Sequence, residues 1–110
     1  MKRAEVWWAE HPSPASRHPV ILLSWDAAED FRDLVTVAQV TTRERGLDTE
    51  VQLGPGDGLP RECVANLDVI VTIPRSVLRE RICELSGARM QMIERATHLA
   101  LGIRLPCDAV

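Results

Sequence analysis

The chain has 110 residues, 13 Lys plus Arg against 16 Asp plus Glu, a net charge of −3 and 45% hydrophobic residues. That is one domain of ordinary globular composition, too short for two cores. It excludes a protein that wraps duplex nucleic acid by overall charge, which is normally basic, and no run approaches the ~20 apolar residues of a membrane helix. Residues 1–5 have no apolar segment behind them, so a secretory signal is not expected. Cys63, Cys83 and Cys107 are widely spaced, with no C-x-x-C pair. They read as small hydrophobes or incidental thiols in a reducing cytosol rather than zinc ligands.

In chain order, residues 4–9 read as a strand with Val6 and Trp8 on one face and Glu5 and Trp7 on the other. Trp7 or Trp8 can stack on a base, although large aromatics more often fill a small core. Residues 10–16 hold two prolines and two serines and read as a loop carrying His11. The run Val20 to Leu23 reads as a strand buried on both faces, begun by Pro19. Proline fixes its own φ and pushes His18 into an extended conformation. Arg17 and His18 thus stand where a rigid strand enters the core, and a rigid support is what a catalytic side chain needs. Asp26 reads as the N-cap of a short helix over residues 27–32, with Phe31 turned inward.

Residues 34–41 are the clearest strand, rich in β-branched side chains. A polar turn over residues 42–46 leads to a strand over 49–53, and the two strands are expected to form a hairpin. The loop over residues 54–60 has three glycines but no G-x-x-x-x-G-K-[ST] pattern, so it is no P-loop. Residues 62–67 and 69–73 read as two strands, with Asn66 and Asp68 on one face if the chain stays extended between them. A helical turn at 76–78 and a strand over 79–85 follow. Ser86 then caps a helix through about Leu101, with Met90, Ile93, Thr97 and Ala100 as its apolar stripe, widened by Ala96 and Leu101, and Gly102 as its stop. This order implies an α+β, mainly β fold: a small curved β-barrel with a C-terminal helix packed on it. One domain over 1–103 and a tail over 104–110 are expected.

Several of these segments, in this order, resemble the MazF/PemK/Kid family of toxins from type II toxin–antitoxin systems. They are Lys2-Arg3-Ala4-Glu5-Val6-Trp7-Trp8, Arg17-His18-Pro19-Val20, Val40-Thr41-Thr42, Asn66-Leu67-Asp68 and the closing helix. The resemblance is collinear from Met1 to about Ile103. It implies a Src-homology-like barrel of the MazF/CcdB type and a homodimer in the cytoplasm. It also implies sequence-specific cleavage of single-stranded RNA without metal or other cofactor, and neutralisation by a MazE-like antitoxin lying across the active groove. Carried over residue by residue, it marks His18, Thr41 and Arg17 as catalytic, and His11, Thr42, Arg43, Asn66 and Asp68 as RNA-binding. The sequence departs from the family at three points. His18 stands where the family usually has its catalytic arginine, with Arg17 one place earlier and facing the other way if the strand begins there. Ala4 replaces a usual glycine, and a common acidic loop residue is missing.

The chemistry fits the residue types. Metal-free RNA cleavage needs a base for the 2′-hydroxyl, stabilisation of charge at phosphorus and an acid for the 5′-oxygen. Imidazole can serve either proton transfer near neutrality, guanidinium binds phosphate, and Thr41 offers a hydroxyl. Two other readings stand beside this one: a catalytically impaired relative acting as an antitoxin sink, and a CcdB-like gyrase-binding module. The latter relies on its C-terminal helix end, and Leu101 to Pro106 does not resemble it.

Overall fold

A computed structural model describes residues 1–12, 15–24 and 33–104, with the side chains of all but 11, 12 and 15. Six strands form one antiparallel sheet: β1 (Glu5–Pro12), β2 (Ala15–Leu22), β3 (Leu34–Thr41), β4 (Glu50–Leu53), β5 (Cys63–Pro74) and β6 (Leu78–Glu84). A 15-residue helix, α1 (Gly87–Leu101), closes the chain. The strands lie in the order β4-β5-β3-β2-β1-β6, so the expected mainly β fold with one packed helix is borne out.

Period-two alternation sorts the side chains onto two faces. Val6, Ile21 and Ala38 are successive partners across β1, β2 and β3. They share one core with Val40, Leu67, Met90, Ile93 and Ala96. The next row, Trp7 and Val20, belongs to a second cluster on the opposite face with Ala9, Leu22, Val35, Val37 and Leu78. An isolated 15-residue helix is marginal in water. Burial of Met90, Ile93 and Ala96 against the sheet is what holds α1 in place. Its ends follow the sequence signals: Ser86 accepts the Arg89 N–H at 3.2 Å, and Gly102 takes φ 69° as the stop. Leu101, expected on the buried stripe, is 59% exposed; it falls in the last turn, past the sheet.

The sheet corrects four other expectations. Residues 10–12 and 15–16, expected in a loop, are strand: Glu10, His11 and Pro12 pair with Arg17, Ser16 and Ala15, while residues 13 and 14 lie outside the described residues. Proline removes a donor but not extended backbone, and the β1–β6 ladder ends at Ala9, so Pro12 faces no second strand. Pro19 lies inside β2 rather than at its start, but the ladder with β3 begins only at Val20, so β2 is an edge there. β3 and β4 do not form a hairpin, because β5 lies between them. Residues 62–67 and 69–73 are one twelve-residue strand, β5. Its register on β3 jumps from Ala38↔Ile70 to Gln39↔Asn66. This leaves Leu67, Asp68 and Val69 as a bulge, where a strand bends and re-aims side chains. The helix expected over 27–32, its cap Asp26, Trp25 and the tail beyond residue 104 lie outside the described residues.

Candidate active site

The ladder between β2 and β3 runs only from Leu22↔Val37 to Val20↔Gln39. Beyond it the strands part, and a cleft of about 530 Å³ opens between them. Its lining includes Trp8, Arg17, His18, Pro19, Gln39, Thr41, Thr42, Leu59, Arg61 and Cys63. Arg17 and His18 leave β2 on opposite faces, as alternation requires, since their β1 partners are Glu10 and Ala9. Both line the cleft because it opens through the gap in the sheet. A larger groove, about 590 Å³, runs beside α1. Its lining includes Asp48, Glu50, Glu94, Arg95 and His98, a mixed-charge surface rather than an anion site.

Arg17 is held from two strands. Its Nη2 donates to Glu80 Oε2 at 2.9 Å, and its Nε lies 3.8 Å from Glu10 Oε1. The guanidinium sits 4.4 Å from the centroid of the Trp8 ring, a cation–π distance. Arg79 approaches the other oxygen of Glu10 at 3.7 Å. Two cations and two carboxylates balance here, so Arg17 is fixed in place and largely neutralised. By contrast, the Arg61 guanidinium is exposed and has no partner among the described residues.

Arg61 follows a built loop. Residues Pro55–Asp57 form a 3-10 turn. Asp57 accepts the Gly54 N–H at 3.0 Å and the Arg89 Nε–H at 2.8 Å. Gly58 has φ +99°, and a Cβ there meets Cys83 Cβ at 2.7 Å, so glycine is required. Leu59 is 3% exposed and anchors the end of the loop.

His18 is half-buried and has no hydrogen-bond or ion-pair partner among the described residues. Thr41 Oγ1 accepts the Arg43 N–H at 3.1 Å, which leaves its own proton free to donate into the cleft. Burial pushes the Cys63 thiol up, with Glu62, Asp57 and Cys83 adding to the rise. A neutral thiol is a poor nucleophile. Among the described residues no cluster of His, Cys, Asp and Glu could hold a metal ion.

The structure thus brings Arg17, His18, Thr41 and Thr42 together. Arg43 meets the site only through its backbone N–H. Asn66 and Asp68 are not in the lining. Asn66 Oδ1 accepts the Asp68 N–H at 3.0 Å, and Asp68 accepts the Thr49 hydroxyl at 2.7 Å. They stabilise the β5 bulge. The His11 side chain lies outside the described residues. Sequence reading missed Arg61, Gln39 and Glu80. Arg61 had a signal, a lone cation just after a glycine-rich loop; Glu80 had none, lying 63 residues from the arginine it holds.

A curled antiparallel sheet with one packed helix, and a cleft at a strand gap lined by Arg17, His18, Thr41 and Arg61, define a small β-rich protein. Residues 2–101 match the family described as PemK-like, MazF-like toxin of type II toxin-antitoxin system, and the chain belongs to that family. It is 41% identical over 100 residues to a probable endoribonuclease MazF5 of Mycobacterium tuberculosis, covering 90% of this chain and 91% of the relative. It is 38% identical over 91 residues to a probable endoribonuclease MazF2 of the same species, covering 82% and 87%. Among solved structures, a mycobacterial endoribonuclease in complex with its cognate antitoxin superposes with a TM-score of 0.85 at 28% identity, covering 96% of this chain and 99% of that one.

Proposed function

We propose that this chain is the toxin of a type II toxin–antitoxin pair and that it cuts single-stranded RNA by metal-independent transesterification. The observation that carries the reading is the meeting of His18, Thr41, Arg17 and Arg61 in one cleft at the β2–β3 gap. The 2′-oxygen loses its proton and attacks phosphorus, the bond to the 5′-oxygen breaks, and that oxygen takes up a proton. The products are a 2′,3′-cyclic phosphate and a 5′-hydroxyl. In-line attack puts the two oxygens on opposite sides of phosphorus, so His18 serves one and water or His11 serves the other. Arg61 supplies net positive charge to the phosphate. Arg17, held by Glu80 and Glu10, supplies oriented donors, and Thr41 donates to a phosphate oxygen.

The named activity of the relatives and the antitoxin complex among the structural neighbours support this reading. The proposal includes a MazE-like antitoxin that competes with RNA for the cleft, a cytoplasmic setting, and a homodimer. Leu99, Leu101 and Ile103 are each more than half exposed around the end of α1, an apolar surface that a dimer contact would cover. Incubation with mixed RNA in EDTA, with mapping of product ends, tests the chemistry. Cutting that stops in EDTA and returns with magnesium refutes it. Light scattering at micromolar concentration tests the dimer, and a stable monomer refutes that part.

A further inference from the structure

His18 and Gln39 line two clefts, not one. The second is a mostly aliphatic slot of about 270 Å³ walled by Val20, Val37, Val69 and Val71, with Glu10, already paired with Arg17 and Arg79, also in its lining. Val69 and Val71 are 40% and 46% exposed, and apolar side chains left at a slot mouth beside an active cleft mark a surface that something covers. The β5 bulge creates the slot: it removes the β3 partner from Val69 just where Gln39 turns. Gln39 is half-buried, and its carboxamide has no hydrogen bond among the described residues. An uncommitted amide facing an apolar slot is an arrangement that selects a ligand with a matching polar edge.

We infer that the slot between β2, β3 and β5 takes one nucleobase of the RNA next to the cut, and that Gln39 reads its edge. The inference rests on the reading proposed above. At about 270 Å³, just below the ~300–1,000 Å³ of drug-sized sites, the slot has room for one base. Single-stranded RNA can present such a base, because its bases splay out and expose their pairing edges. Continuity through His18 places the base within one nucleotide of the reacting phosphate. A carboxamide sets an NH2 donor group beside a carbonyl acceptor, so it can pair with two adjacent atoms of a base edge and leaves a mismatched edge unsatisfied.

The test maps cut sites on mixed-sequence RNA for wild type and Gln39→Met, which keeps the length and removes both polar atoms. Wild type is expected to favour one base at one position beside the cut, by about 10- to 100-fold for a bidentate pair. In Gln39→Met that preference falls below about threefold, while preferences at other positions stay. An unchanged preference in Gln39→Met, or a wild type indifferent to both neighbouring bases, overturns the inference and leaves RNA cleavage standing. A wild type that cuts no RNA refutes the underlying reading and this inference with it. If Gln39→Met cuts nowhere, Val71→Phe decides by narrowing the slot from the opposite wall. A shift toward pyrimidines supports the slot, and an unchanged pattern overturns it.

Discussion

Glu5 is a buried carboxylate that ties β1 to β6 and to the first residues of the chain, and its removal tests the electrostatics of the fold. It is 6% exposed. It accepts the Lys2 N–H at 2.8 Å, the Trp7 indole N–H at 3.1 Å and the Arg81 Nε–H at 2.9 Å. Burial pushes its carboxyl up, but these three donors and the N-terminal ammonium outweigh burial and hold it below the ordinary glutamate value. Glu5→Gln keeps one oxygen to accept a hydrogen bond and loses the charge. The Arg81 side chain is 46% exposed, so its share is discounted to at most about 1 kcal/mol. The two shielded N–H donors lose charge assistance worth about another 1 kcal/mol between them. A loss of about 2 kcal/mol lowers Tm by roughly 8–16 °C in a domain of this size. The sign with pH follows from the lowered value. The carboxylate's advantage is complete above the ordinary glutamate range. It disappears as pH falls through the folded value, because both proteins then carry a neutral side chain. Circular-dichroism melts of wild type and Glu5→Gln from pH 7 to 3 should therefore show a gap that closes in acid. A gap independent of pH, or one below about 2 °C at pH 7, refutes the reasoning.

Three further outcomes are expected. His18→Ala should lower RNA cleavage about 10²-fold or more, the scale of a lost proton carrier; a rate equal to wild type in a single-turnover assay makes His18 a bystander. Arg61→Gln should weaken binding of an uncleavable 2′-O-methyl oligonucleotide and reduce its salt slope by about 0.7, one phosphate contact, while Arg61→Lys keeps the slope; equal slopes in all three proteins exclude that contact. Gly58→Ala should lower stability by about 1–3 kcal/mol, since φ +99° is strained for alanine; an unchanged denaturation midpoint shows that the loop yields without cost.

Local chemistry explains what was legible in the sequence. β3 was read with its observed bounds because its β-branched run has one good conformation. Helix α1 was read from its Ser86 cap and Gly102 stop. Strand pairing was less legible, because a loop's length does not say which strand will lie alongside. The expected β3–β4 hairpin failed when β5 paired between them. β5 was split at Asp68 because a polar residue between apolar ones looks like a break; in the sheet it is a bulge, tied by Asn66 and Thr49. The resemblance assigns Asn66 and Asp68 to RNA; here Asn66 accepts the Asp68 N–H and Asp68 accepts the Thr49 hydroxyl. Arg17 and His18 stand out in the sequence through Pro19, and Thr41 through the resemblance alone; all three line the cleft. Arg61 is less legible, because its place after a glycine-rich loop does not say which cleft that loop borders.

The ladder between β1 and β6 has a consequence for synthesis. Glu80, which orients Arg17, lies on β6, and β6 pairs with β1 near the beginning of the chain. Contacts of such sequence separation form late, because the intervening chain must first be made and closed. At about 5–20 residues per second, translation needs roughly 3–13 s to pass from residue 17 to residue 80. During that interval a nascent chain has Glu10 and Trp8 of β1 beside Arg17 but lacks the 2.9 Å contact from Glu80. Glu80 reaches Arg17 only when the sixth strand has left the ribosome and docked. The sheet order therefore makes the Arg17–Glu80 contact wait for β6, the last strand of the sheet in chain order.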